Sequence, residues 1–576
     1  MSLTKYKKYL IPKKRKSFKE ICFPKEFTLQ NPQLFLADYL GPNSTQNGVL
    51  VFHQIGSGKT CTGIRIAEAW KGKRKIYFVV PAALIGNLRG ELRSKCAGNN
   101  YITEKERALL KTLHPASKEY KEIIAVSDER IDEYYNIYSY NKFVSALEQG
   151  RINFKNSLLI IDEVQNIVSE GGKYYQVIYD AIINAPKDLR IALLSGTPIY
   201  DRPQEIALTM NLLKLPKEIP VGINFRNTFL RTNIIFDTDE NGNVKKQVIV
   251  KPRNLDKFKK LIKGYVSYYR GADPKSFPES KIRYIKCEMS DFQYRSYLTV
   301  LNKENIAHKS SLRAFRDVKI EDLPNDFYLG TRIISNIAFP NKDINEDGYE
   351  SLNNTNLSME NLKKYSIKFY SILNKIRSTS GTVFIYSNFK EYGGIRSLQK
   401  VLEAHGYSDY AKYGVGRKRF GILSGDVHPR QREEIKEIFN KFENHTGRQI
   451  KILLGTPSIK EGISFKNLSQ LHILDCHWNY SRMLQIIGRG IRYCSHRDMP
   501  PEKRVVKVYI YLAVHPLESS TVDQKIMKLA LDKKKLIEPF ETAMRQEAVD
   551  CQLFHNANVF PEENKPLECS KDTIPI

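Results

Sequence analysis

In the run His53-Gln54-Ile55-Gly56-Ser57-Gly58-Lys59-Thr60, small residues lead directly into a lysine and a hydroxyl side chain. That combination suits a polyphosphate. The backbone N–H groups around Gly56, Ser57 and Gly58 can turn inward on phosphate oxygens at a helix N-terminus, whose dipole favours negative charge. Lys59 would then reach the β- and γ-phosphates of ATP, and the Thr60 hydroxyl would hold Mg²⁺. His53 stands where the usual G-x-x-x-x-G-K-[ST] pattern has its first glycine. A flexible surface loop is the rival reading, and the flanks speak against it. Gly48 to Phe52 reads as a buried parallel strand, and the residues after Lys59 carry apolar side chains at near-helical spacing.

A nucleotide site also needs a carboxylate for its metal, and one stands 103 residues after Lys59. The apolar run Ser157 to Ile161 delivers Asp162-Glu163-Val164-Gln165 to the C-terminal end of a strand. In a parallel α/β sheet ligands bind at that edge. Asp162 would take Mg²⁺, and Glu163 would orient and deprotonate the attacking water. An acidic pair after an apolar strand is common by itself; with the loop it makes an ATP site. Ile191 to Pro198 repeats the design, ending in Ser195-Gly196-Thr197, where Ser195 and Thr197 could bridge the site to whatever moves. Alone, this would be a turn.

A second cluster lies in Gln485-Ile486-Ile487-Gly488-Arg489-Gly490-Ile491-Arg492. As a helix, it would put Gln485, Gly488, Arg489 and Arg492 on one face. Two such arginines aimed at ATP held elsewhere would act as an arginine finger, worth on the order of 10³ or more in rate. A solvated basic helix face is the alternative, but it does not predict the glycine or the flanking isoleucines. Upstream, Gly455 to Ser464 follows a strand run and has the small and hydroxyl residues that suit close approach to a phosphate backbone.

What must position these groups follows from length and patterning. A chain of 576 residues is too long for one core, so two or three domains are expected. Strand-like runs alternate with amphipathic segments from 48 to 200 (Val49 to Phe52, Ile76 to Val80, Leu158 to Ile161, Ile191 to Leu194), which is α/β patterning with a parallel sheet. The rhythm is lost from 216 to 365, read as a linker and accessory insertion. It resumes with Thr382 to Tyr386, Gly421 to Leu423, Ile452 to Leu454, Leu471 to Leu474 and Val505 to Leu512. From Thr521 the chain reads as a helical tail with a loose end.

Lys and Arg total 91 against 63 acidic residues, a formal charge of +28, for which a polyanionic partner is the economical explanation beside a uniformly basic, solvated surface. The first 25 residues hold nine Lys or Arg and one Glu. They read as a nucleic-acid-binding arm, an import signal or a solvated tail. The eight cysteines form no C-x-x-C pair, which argues against a zinc ribbon and a disulfide framework. No apolar run approaches the ~18 residues of a membrane span, and the N-terminus has no signal-peptide core. The expectation is a soluble protein of a reducing compartment.

In their order these elements resemble the superfamily 2 helicases and translocases: motif I at 53–60, Ia at 80–92, II at 162–165, III at 195–197, V at 455–464 and VI at 485–492. Gln33 stands where such proteins place an adenine-reading glutamine. More narrowly, Gly196 to Tyr200, Leu474 to Asn479, Gln485 to His496 with Pro500 to Arg504, and Thr521 to Asp523 resemble the nucleoside triphosphatase I and early transcription factor small-subunit family of poxviruses and other large DNA viruses.

The resemblance implies an α/β fold of two RecA-like domains in tandem. Domain 1 would span 26–215 after a basic arm at 1–25, and domain 2 would span 366–515 before a tail at 516–576. It implies catalytic roles for Lys59, Asp162, Glu163, Gln165, Arg489 and Arg492. ATP would be bound by Gln33, Gly56, Ser57, Gly58, Lys59, Thr60, Gln485 and Gly488, with Mg²⁺ on Thr60 and Asp162. It further implies DNA as the track with RNA as the alternative, viral RNA polymerase or transcription factor subunits as partners, no membrane, and a place in the virion and host cytoplasm. A strand-separating helicase shares the same motor residues. A non-catalytic nucleic-acid scaffold is the rival from another class, and the intact motif residues argue against it.

Overall fold

The computed structural model describes residues 3–13, 16–54, 56–114, 117–169, 171–238, 244–271, 273–312, 328–457, 463–560, 563 and 566–571. The chain divides into two compact units, Met1–Pro274 with Lys534–Ile576, and Lys275–Lys533.

The strands, in chain order, are β1 (Gly48–His53), β2 (Lys75–Val80), β3 (Tyr135–Ser139), β4 (Ser157–Asp162), β5 (Arg190–Ser195), β6 (Leu230–Thr238), β7 (Val244–Pro252) and β8 (Val266–Tyr269) in the first unit. Six of them form a parallel sheet in the order β3-β2-β4-β5-β1-β8. All-parallel strands need cover on both faces, and the alternation of side chains supplies it. Leu50, Phe52, Leu159, Ile161 and Leu193 point into one core, while Val49, Val51, Leu158, Ile160 and Leu194 point into another. β6 and β7 pair antiparallel as a separate hairpin.

In the second unit β9 (Glu279–Glu288), β10 (Thr382–Tyr386), β11 (Ser408–Asp409), β12 (Arg419–Leu423), β13 (Ile452–Gly455), β14 (Leu468–Ile473) and β15 (Val505–Val514) form a sheet in the order β11-β12-β13-β10-β14-β15-β9. Every neighbouring pair is parallel. Two parallel-sheet α/β domains are therefore present, as the alternating pattern predicts.

Four expectations need correction. The segment 216–365 is not an insertion apart from the sheets, because it supplies the edge strands β8 and β9. β8 is only four residues long and β9 is mostly exposed, with Lys281, Arg283 and Lys286 along it, so neither shows as an apolar run. The stretch that follows the last long helix is not loose either, as far as Phe554. After the helix Val522–Gln546, Val549, Asp550, Cys551, Leu553 and Phe554 are all buried, and Ile537, Phe540, Ala543 and Met544 join the first unit's core.

The N-terminal arm, where described, is likewise held. Tyr6 and Tyr9 are buried on a 3-10 turn, with their rings edge-on to Phe35; Lys14 and Arg15 of its basic run lie outside the described residues. Finally, disulfides join Cys61 to Cys96 and Cys551 to Cys569, at sequence separations of 35 and 18. Such spacing carries no motif, so the pairing comes from the fold alone.

Among the described residues, no helix is long and apolar enough to cross a membrane.

Candidate nucleotide site

β1 delivers the chain into the loop at His53. Gly56 and Gly58 then take φ of +85° and +81°, a left-handed backbone that a side chain would strain. Gly58 caps the helix Lys59–Trp70. A Cβ on it would stand 2.7 Å from Gln33 Nε2. Gln33 sits in the first turn of the helix Asn31–Tyr39, where its Oε1 accepts from the Gln30 amide at 2.9 Å while Nε2 approaches the Gly58 carbonyl at 3.5 Å. The expected nucleotide-reading glutamine is thus against the loop. Ser57 is buried, and its hydroxyl has no hydrogen-bond partner. Thr60 follows Lys59 in the first helical turn, and Ile55 lies outside the described residues.

Lys59 donates to Glu163 Oε1 at 2.5 Å and lies 3.2 Å from Asp162 Oδ1. Burial works against the ammonium, but the two carboxylates outweigh it and hold Lys59 above its ordinary pKa. Burial also drives Asp162 upward, with Glu163 adding to it against the pull of Lys59. The cluster carries two acidic groups on one lysine, and its hard oxygen donors are the kind Mg²⁺ takes. Asp162 and Thr60 therefore fit the ion the sequence implies.

Glu163 has φ 51° and ψ 47°, a strained conformation for a residue with a Cβ. Its neighbours hold it there. The Tyr140 hydroxyl donates to the carbonyls of Asp162 at 2.5 Å and Glu163 at 3.0 Å, and the Glu163 amide donates to Asp162 Oδ1 at 2.9 Å. Gln165 Nε2 donates to Glu163 Oε2 at 2.6 Å, and the Ser195 hydroxyl donates to Gln165 Oε1 at 2.7 Å. The Thr197 amide in turn donates to Ser195 Oγ at 3.1 Å. Lys59, Asp162, Glu163, Gln165, Ser195 and Thr197 form one connected chain across the C-terminal ends of β4 and β5. Sequence reasoning missed Tyr140, because a tyrosine opening a helix carries no signal of what its hydroxyl will hold.

In the second unit the helix Tyr480–Gly490 carries Gln485, Gly488 and Arg489. Ile491 leaves the helical region at φ −103° and ψ 86°, so Arg492 lies past the helix and does not share its face. Arg489 Nη1 approaches the Ile463 carbonyl at 3.5 Å, and its own carbonyl accepts from the Phe465 amide at 2.9 Å. That ties the helix end to the loop after β13. Within that loop, Ser458 to Gly462 lie outside the described residues.

The SNF2-related domain model matches residues 15–348, and the helicase conserved C-terminal domain model matches residues 367–494. A protein of Acanthamoeba polyphaga mimivirus, named as a candidate ATP-dependent RNA helicase, is 50% identical over 98% of this chain and 96% of its own length. A second mimivirus protein so named is 28% identical over 96% of this chain and 57% of its own length. A termination factor NPH-I homologue of African swine fever virus is 25% identical over 89% of this chain and 77% of its own length. With a buried lysine on two carboxylates at the edge of a parallel sheet and both domain models matched, the chain belongs to the SNF2-related helicases of superfamily 2 and is an ATP hydrolase of that family.

Proposed function

We propose that the protein is a DNA-dependent ATPase that uses hydrolysis to translocate along the duplex and works with a viral RNA polymerase in transcription. The observation that carries the motor reading is the chain Lys59–Glu163–Gln165–Ser195. It ties the phosphate-binding lysine to the water-activating carboxylate and passes through Gln165 to the end of β5. A change at the γ-phosphate therefore has a hydrogen-bonded route out of the site. Lys59 holds the phosphates and Glu163 orients and deprotonates the water; Thr60 and Asp162 would hold Mg²⁺, which when bound would supply positive charge against the phosphates. Arg489 and Arg492 supply further positive charge to the transition state.

The transcription role is supported by the termination factor relative, and DNA as the track by the SNF2-related match. Virion and host cytoplasm are the places such a role requires. The names of the mimivirus relatives favour a second reading, a strand-separating RNA helicase.

ATPase assays with duplex DNA, single-stranded DNA and RNA, beside triplex-displacement and duplex-unwinding assays, separate the two. The expected outcome is stimulation by duplex DNA and displacement of a third strand without unwinding. Stimulation should weaken with salt, log affinity falling with a slope of about −0.9 per phosphate neutralised. An ATPase indifferent to every nucleic acid overturns the motor reading. Efficient unwinding of RNA duplexes replaces the translocase with the helicase.

A further inference from the structure

The nucleotide site, as read above, makes no use of the imidazole of His53, the residue that displaces the loop's first glycine. His53 closes β1 fully buried, with Nε2 3.1 Å from Ser267 Oγ on the neighbouring strand β8. The Ser267 hydroxyl donates to Asp550 Oδ2, and the Tyr268 amide donates to Asp550 Oδ1 at 3.0 Å. With Asp550 ionised, Ser267 gives its proton to the carboxylate and His53 Nε2 carries the proton facing Ser267 Oγ. Nδ1 is then a buried acceptor without a hydrogen-bond partner. Burial, with Lys59 adding to it, keeps the ring neutral by pushing its pKa down to about 3.

Asp550 belongs to the stretch that finishes the first unit's sheet. β8 is an edge strand, and its outer amides and carbonyls need partners. The Val549 amide donates to the Val266 carbonyl at 2.8 Å. Asn558 accepts from the Arg270 amide at 2.8 Å and donates to the Tyr268 carbonyl at 3.1 Å. Side chains here do what a further strand would do. Just past β8, a Cβ on Gly271 would stand 3.4 Å from Ser57 Cβ, and the Gln54 amide donates to the Tyr269 carbonyl at 3.0 Å. The phosphate loop therefore folds against the strand that the C-terminal segment secures, touching it at His53, Gln54 and Ser57.

We propose that Asp550 is a positioning residue for ATP binding. Through Ser267 it fixes His53 at the start of the loop, and through the Tyr268 amide it fixes the strand end behind Ser57. The C-terminal segment thus completes the nucleotide site of its own unit. This inference rests on the reading of Gly56 to Thr60 as the ATP-binding loop. A segment that only stabilised the fold would change how much protein is folded. It would not change how tightly the folded protein takes ATP.

The test is steady-state ATPase, binding of a fluorescent ATP analogue, and thermal melting on the full chain. Ser267→Ala removes one hydroxyl and should raise KM for ATP about tenfold, the worth of one lost buried hydrogen bond, with kcat within about twofold. His53→Gly, which restores the usual loop residue, should raise KM similarly. Asp550→Asn keeps an oxygen for the Tyr268 amide and an NH₂ that can donate to Ser267, so it should hold KM within about twofold where Asp550→Ala does not. If Asp550→Ala fails to fold, the serine variant decides. Wild-type KM in Ser267→Ala and His53→Gly, with melting alone affected, overturns the proposal. Lys59→Ala separates the two layers. If it leaves hydrolysis intact, the reading of the loop fails and the proposal with it; if it abolishes hydrolysis while Ser267→Ala keeps wild-type KM, the positioning role alone fails.

Discussion

Each unit contains a lysine taken out of water beside a carboxylate, and the two lysines have opposite fates. In the first, the Lys59 side chain is 12% exposed and Glu163 is 23% exposed, at the sheet edge where a ligand can enter. In the second, the Lys368 side chain is wholly buried, 2.6 Å from Asp523 Oδ2. Lys368 also donates to Asn336 Oδ1 at 2.9 Å and to the Leu474 carbonyl at 3.1 Å. An ammonium has three protons, and all three are used. Asp523 Oδ2 also accepts from the Ala513 amide at 2.9 Å. A buried ammonium with every proton spent inside the core is scaffold, whereas an ammonium shared between two carboxylates at an open edge can be handed to a phosphate. Chemistry is thus distinguished from architecture by access and unspent hydrogen-bonding capacity, not by residue type.

The largest effects should come from the open pair. Lys59→Ala is expected to abolish ATP hydrolysis, lowering kcat by about three orders of magnitude or more while the protein melts near the wild-type temperature. Glu163→Gln should bind ATP and fail to turn it over, since Asp162 survives while the water loses its base. Near-wild-type turnover by Glu163→Gln would put the base on another residue. Arg489→Ala and Arg492→Ala should lower kcat by about two orders of magnitude or more with ATP affinity barely changed, because charge that is felt as the transition state develops adds little to ground-state binding. Arginine-to-lysine exchanges should rescue poorly, an ammonium lacking the planar fork. Full kcat in both alanine variants removes the finger.

The closed pair should fail in the other currency. Lys368→Met leaves Asp523 charged and buried, which should destabilise the protein by about 3–5 kcal/mol. Denaturant unfolding reads this directly. The folded fraction should keep its KM for ATP, since Lys368 touches only second-unit scaffold. A selective rise in KM without loss of stability would erase the contrast between the two lysines.

How legible these sites were in the sequence follows the same line. Lys59, Asp162, Glu163, Gln165 and Ser195 stand next to apolar strands in a fixed order, and local pattern alone predicts that the sheet edge gathers them. Gln33 lies far upstream of the loop, and only the resemblance pointed to it. The strands β1, β2, β4, β5, β10 and β12 to β15 were readable because burial on both faces demands unbroken apolar runs. β8 and β9 were not, since one is four residues long and the other is exposed and charged. Tyr140, Ser267 and Asp550 act through contacts closed by long loops in sequence, and no periodicity records a hydroxyl that meets a carbonyl 22 residues away or a carboxylate 283 residues away. Arg492 was misplaced because a run at helical spacing does not announce where its helix stops.

A smaller effect sharpens the contrast further. Among the described residues, the first unit buries carboxyls with no lysine partner to match Lys368: burial pushes Asp550 and Glu205 up to about 7. For Asp550 the folded pKa lies above the ordinary carboxyl value near 4, so the folded state holds a proton that the unfolded chain has released. Its contribution to stability is fully present below about pH 4 and is lost as pH rises through about 7. Asp550→Asn cannot titrate. The stability of the wild type relative to Asp550→Asn should therefore fall by about 3 kcal/mol between roughly pH 5 and pH 8. Comparing the two proteins at each pH cancels the rest of a strongly basic chain, whose self-repulsion also changes with pH. Urea unfolding across that range is the measurement. A difference that stays flat means the Asp550 carboxyl keeps one protonation state throughout, and a difference that grows with pH means Ser267 and the Tyr268 amide hold it ionised more strongly than burial resists.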